Sequence, residues 1–240
     1  MITDVGVDIV QRARNILQEA DEIRESTKNA QNPFAGVLKI GAFPTLAPYF
    51  FPSIIPKLNA QYPDLKLFLV EDKTEILIER LKKGTLDAAF LAVPLPQMED
   101  SLEYKALFKD DFMLATPLAH PLARRKSIKR DDLLDQSLLL LEEGHCLRDQ
   151  ALDVCFVAGI SEDQHFRATS LETLRQMVAS NLGVTLIPKL AQKTNDHICY
   201  IPFKDHAPYR TIGMVWRKTS ARKVCFEGMI QTLGYDQDIS

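Results

Sequence analysis

"LKLFLVEDKTEILIERLKKGTLDAAFLAV", residues 65–93, places a helical stretch between two short apolar runs. Residues 65–71 and 87–93 are apolar almost throughout, as strands covered on both faces are. The segment between them, 74–84, has helical spacing and closes on Gly84. The stretch therefore predicts strand, helix, strand.

Working outward, the same alternation recurs. Further strands are expected at 37–43, 112–116, 137–142, 165–169, 183–188 and 211–217, and helices at 47–62, 146–159, 170–181 and 221–234. Apolar strands separated by helices of this length predict an α/β fold with a mostly parallel sheet. Pro52 and Pro56 fit a regular helix poorly, so the first half of 47–62 is expected to kink or start late. The alternation runs twice, over about 37–108 and 109–214, before the last helix. Two α/β halves leave a cleft, and ligands of open α/β sheets collect at the carboxyl ends of strands. The loops there are "FPTLAP", "EDKTE", "LEEGHC" and "RATSLE".

The first 30 residues have a different pattern. Ile2, Gly6, Ile9, Ala13, Ile16, Ala20 and Ile23 recur every three or four positions, close to a coiled-coil repeat. Such a stripe pairs with another chain or packs on the body. Lys28–Gly36 then reads as a linker.

A net charge of −3 over 240 residues gives no bulk attraction to nucleic acid or acidic lipid. No apolar run reaches the roughly 18 residues of a membrane span, and the N-terminus lacks signal-peptide features, which predicts a cytoplasmic protein. The four cysteines form no CxxC pair. The five histidines have no metal-ligand spacing, so no metal or other cofactor is expected. There is no Ser-His-Asp motif, P-loop or GxGxxG, and the basic run 123–132 reads as a solvated loop. Thr169 or Ser170 is expected to cap the next helix, and Gly183 to supply a left-handed helix end.

"EEGHCLRDQALDVCFVAG" (142–159) carries two of the cysteines. Cys146 falls in the first turn of a helix, where unpaired amides and the dipole favour a thiolate, with His145 and Arg148 adjacent. Cys155 shares an apolar stripe with Ala151, Leu152, Val154 and Ala158. Nine helical residues rise about 13.5 Å, whereas a disulfide needs Cα atoms within about 7 Å. A bond between the two therefore requires the helix to unwind, and without one both are small buried hydrophobes. That ordinary reading suits Cys199 and Cys225.

"LEEGHCLRDQALDVCF", "HFRATSLETLRQMV", "GVTLIP" and "YRTIGMVWR" resemble the regulatory region of the OxyR group of LysR-type transcription regulators, which sense peroxide. "LKIGAFPTLAPY", "LAHPLA" and the heptad helix are similar to LysR-type regulators at large, so the resemblance covers essentially the whole chain. It implies two Rossmann-like subdomains of the periplasmic-binding-protein type 2 kind behind a linker helix. The boundaries are 1–32 for the linker, 33–108 plus 217–240 for subdomain I, and 109–216 for subdomain II. The family's winged helix-turn-helix precedes the linker, so this chain is expected to be a piece that senses without itself holding promoter DNA.

By position, the resemblance makes Cys146 the peroxidatic cysteine and Cys155 the resolving one. It puts Thr45, Thr74, His145 and Arg210 around the peroxide. The implied partners are hydrogen peroxide, cellular thiol reductants and a second copy, as homodimer or homotetramer. Promoter DNA and RNA polymerase are partners only through the full-length protein. The alternative is a LysR-type domain binding a small organic effector in the cleft, with incidental cysteines. A thiol peroxidase would need repeated turnover with a reductant, so no enzyme is expected.

Overall fold

The computed structural model describes residues 32–95, 100–134, 136–156, 162–204 and 207–235, plus scattered positions before residue 21. Side chains at 153–156 and 162–165 lie outside the description. In chain order the elements are β1 (Gly36–Ala42), α1 (Ala47–Gln61), β2 (Leu65–Glu71), α2 (Thr74–Lys82), β3 (Ala88–Val93) and β4 (Leu102–Pro117). They continue with β5 (Leu138–Leu141), α3 (Cys146–Phe156), β6 (Glu162–Ala168), α4 (Leu171–Ala179), β7 (Thr185–Pro188), β8 (Ile198–Pro202), β9 (Tyr209–Arg217) and α5 (Lys223–Leu233). The chain divides into two compact units. Residues 1–42, 51–107 and 213–240 form the first, and 43–50 with 108–212 form the second.

In the first unit β1 lies between β2 and β3 and pairs in parallel with both. Ile40 lies opposite both Leu69 and Ala88. Helix α2 covers this sheet because Leu77 and Leu81, four apart and fully buried, share one helical face. Burying each leucine contributes about 1.5–3 kcal/mol. Glu75 in the first turn and Arg80 and Lys82 in the last complement the helix dipole. The helix sits so close that a Cβ on Gly41 would lie 2.6 Å from a Leu77 methyl. An alanine there forces the leucine out of its place.

In the second unit β5 is four consecutive buried leucines, with β6 parallel beside it and Leu141 opposite Ala168. A strand turns alternate side chains to opposite faces. Leu138 and Leu140 accordingly enter a cluster with Leu114, Leu186 and Ile201. Leu139 and Leu141 enter another with Phe112, Leu171, Leu174 and Ile187. The α/β class read from the sequence is the observed one.

Several details differ. The second unit is not parallel throughout, because β4 runs antiparallel to both β7 and β8. The early half of β4 carries charged residues on half-buried positions, which hid it, and β8 went unread. Helix α1 runs unbroken through Pro52 and Pro56. The prolines each remove one ladder donor, and the buried faces of Phe50, Phe51, Ile54 and Leu58 hold the helix in register.

Ser170 rather than Thr169 caps α4, its hydroxyl accepting from the Thr173 amide at 3.1 Å. The left-handed residue after α4 is Asn181, not Gly183. Gly183 is needed for close approach, since a Cβ there would lie 2.6 Å from the Ser137 carbonyl oxygen. The unit boundaries fall at 107/108 and 212/213, and residues 43–50 join the second unit. Of the heptad stripe, Gly6, Ile9, Ala13, Ile16 and Ala20 are helical, with Ile9 and Ile16 well exposed. Ile2 and Ile23 lie outside the described residues.

Candidate functional site

Strand β5 delivers the chain to a tight turn at 142–145, where Gly144 has φ +86°. That left-handed geometry strains any residue with a Cβ. His145 follows, 5% exposed, with Nε2 3.8 Å from Glu142 Oε1. Cys146 is the first residue of α3 and is a reduced, half-buried thiol. The dipole of the helix that opens there favours negative charge at its sulfur.

The helix continues to Phe156, so the backbone at Cys146 and Cys155 is about 13.5 Å apart along the axis. The two sulfurs cannot bond while α3 is intact. The side chain of Cys155 lies outside the described residues. One turn beyond Cys146, Gln150 has a buried Oε1 with no hydrogen-bond partner. Residues four apart share a helix face, so this acceptor flanks the thiol's side of α3.

A second group assembles in the same unit from three distant parts of the sequence. Arg210 on β9 donates from Nη1 to the Thr45 hydroxyl at 2.9 Å and from Nη2 to the Thr45 carbonyl at 3.1 Å. Its Nε and Nη2 also donate to Asp110 Oδ2 on β4, at 3.0 and 2.9 Å. The guanidinium lies 5.0 Å from the Phe43 ring centroid. All three polar residues are buried. Asp110 counters the arginine's charge, so Arg210 acts here as a rigid multiple donor.

Tyr49, four residues after Thr45, packs on the cluster that contains Leu147 and hydrogen-bonds Arg175. Segment 43–50 and the start of α3 thus share one core.

Of the residues singled out from sequence, His145 and Cys146 meet as chain neighbours, and Thr45 and Arg210 meet by hydrogen bonding. Thr74 belongs to the first unit, as the first residue of α2, and its Oγ1 is buried without a hydrogen-bond partner. Sequence reasoning missed Asp110 and Gln150. Asp110 sits in the unread part of β4, in "KDD", which looks like a solvated turn. Cys225 is fully buried, and burial pushes its thiol from 9.0 up to about 11. It is a packing residue.

The LysR substrate binding domain pattern matches residues 31–236. The hydrogen peroxide-inducible genes activator of Pectobacterium carotovorum subsp. carotovorum is 40% identical over 248 residues, spanning 100% of this chain and 82% of that protein. The crystal structure of the reduced form of OxyR matches with TM-score 0.76 at 40% identity, covering 84% of this chain and 96% of that one. The oxidised form of OxyR matches with TM-score 0.75 at 41% identity, covering 86% and 100%.

The chain belongs to the OxyR group of the LysR family. OxyR relatives are transcription regulators, a class that acts by binding rather than turnover. Among the described residues of this OxyR-type chain, no helix is long and apolar enough to cross a membrane. No group of His, Cys, Asp or Glu among them is placed to hold a metal ion.

Proposed function

We propose that this chain is the sensing region of a peroxide-responsive transcription regulator, with Cys146 as the reacting thiol and Cys155 as the resolving one. The observation that carries the reading is the position of Cys146: a half-buried thiol opening α3 directly behind the Gly144 turn and buried His145. The Cys146 thiolate attacks one oxygen of H₂O₂. The S–O bond forms, the O–O bond breaks, and the departing hydroxide takes a proton to leave as water.

Peroxide is small, neutral and both donor and acceptor, which suits the hydroxyl of Thr45, the imidazole of His145 and the donors of Arg210. The sulfenic acid then condenses with the Cys155 thiol, releasing water and forming the disulfide. The helical separation makes that second step conformational, because α3 must unwind before the sulfurs meet. The repacked unit changes contacts between copies, as homodimer or homotetramer. In the full-length protein the change alters how promoter DNA is held and RNA polymerase recruited. Cytoplasmic thiol reductants reset the switch.

The test is mass-spectrometric disulfide mapping after brief exposure to near-stoichiometric H₂O₂. The expected product is a single Cys146–Cys155 link with Cys199 and Cys225 still reduced. Four intact thiols would overturn the reading.

A further inference from the structure

We propose that Asp110 is a positioning residue for the oxidation of Cys146: through Arg210 it fixes the Thr45 hydroxyl as a hydrogen-bond donor to the bound peroxide. The inference rests on the sensing role proposed above.

The bonding runs in one direction. The Leu190 amide donates to Asp110 Oδ1 at 3.0 Å, which orients the carboxylate. Asp110 Oδ2 then accepts from both Nε and Nη2 of Arg210, and this two-point contact leaves the guanidinium a single orientation. From that orientation Nη1 reaches the Thr45 hydroxyl and Nη2 the Thr45 carbonyl, so the threonine is held by side chain and backbone together.

A guanidinium has donors only. A hydroxyl that accepts from it spends a lone pair and keeps its own proton for another partner. Thr45 is 2% exposed, so bulk water is not that partner. A small molecule with an acceptor oxygen is, and peroxide bond cleavage places negative charge on such an oxygen. Without the carboxylate, the guanidinium has no fixed plane and the threonine no fixed polarity. Asp110 acts through Arg210 and Thr45.

The experiment measures second-order rate constants of Cys146 with H₂O₂ and with iodoacetamide in the full chain. The proteins are the parent, Asp110→Asn, Asp110→Glu, Thr45→Val, and Asp110→Asn with Thr45→Val. Asp110→Asn is expected to slow peroxide oxidation about tenfold or more, because a transition-state donor is misplaced. Alkylation, which has no such requirement, is expected to stay within about twofold. Asp110→Glu recovers part of the loss. The double variant is little slower than Thr45→Val alone, since both act through one hydroxyl.

Equal slowing with both reagents marks a general disturbance and overturns the inference, as does an unchanged peroxide rate. If Asp110→Asn does not fold, Thr45→Val carries the test, and an unchanged peroxide rate in it is equally fatal. A parent chain that fails to oxidise at Cys146 overturns the sensing role, and this inference with it. A reactive parent beside an equally reactive Asp110→Asn overturns this inference alone.

Discussion

Leu147 and Ala151, one turn apart on α3, are buried in two different hydrophobic clusters of the second unit. Each is 2% exposed. The helix that carries the reactive thiol is thus pinned by side chains entering both cores, and any unwinding of α3 must withdraw them.

That relationship sets the redox balance. Leu147→Ala removes contacts that only the helical, reduced form makes, and is expected to destabilise that form by about 2–5 kcal/mol. Oxidation becomes easier and reduction harder, so the midpoint potential moves negative by about 30 mV for each 1.4 kcal/mol. Equilibration in glutathione or dithiothreitol buffers measures it. A potential within a few millivolts of the parent would show that α3 stays folded on oxidation.

Arg210 and Asp110 form a buried pair, with side chains 0% and 2% exposed. Arg210→Met leaves a buried carboxylate without its counter-charge and is expected to cost about 3–5 kcal/mol in urea unfolding. Arg210→Met combined with Asp110→Leu restores most of that stability, because the uncompensated charge is gone. A double variant as unstable as the single one would place the cost in packing.

Cys225 distinguishes a packing thiol from a reacting one. Burial raises its ionisation from 9.0 to about 11, so it keeps its proton in the folded chain and loses it in the unfolded one between those values. The unfolded state then binds fewer protons, and stability falls as pH rises through that window. Cys225→Ala is expected to show a shallower fall between about pH 9 and 11. At pH 8, iodoacetamide labels Cys146 in the native protein and spares Cys225, read by peptide mass.

Glu172 shows the opposite sign. Hydrogen bonds from Lys193 and Gln176 hold its carboxyl below the ordinary 4.5. A lowered carboxyl adds stability above 4.5 and loses it as pH falls through the folded value. Glu172→Gln is therefore expected to lower Tm at pH 7, with the difference from the parent shrinking as pH falls below 4.5, measured by scanning calorimetry. The side chain is half exposed, so the effect is small and salt-sensitive.

The sequence by itself determined the alternation of strand and helix. Runs such as Leu138–Leu141 and spacings such as Leu77 with Leu81 are local patterns, and burying them has few solutions. It also determined the geometry of the thiols, since nine helical residues keep two cysteines apart whatever surrounds them. The turn at Gly144 and the thiol at the head of α3 were legible for the same reason.

Tertiary structure alone decided the rest. It set β4 antiparallel to β7 and β8, because half-buried strands with charged residues carry no apolar run to recognise. It chose Asn181 over Gly183 as the left-handed residue, because Gly183 is required against the Ser137 carbonyl. It brought Thr45, Asp110 and Arg210, up to 165 positions apart in sequence, within hydrogen-bonding distance. No local pattern specifies such a meeting. An aspartate in "KDD" becomes an arginine's partner only once β4 and β9 are folded, where burial makes an unpaired charge costly and pairing the remedy.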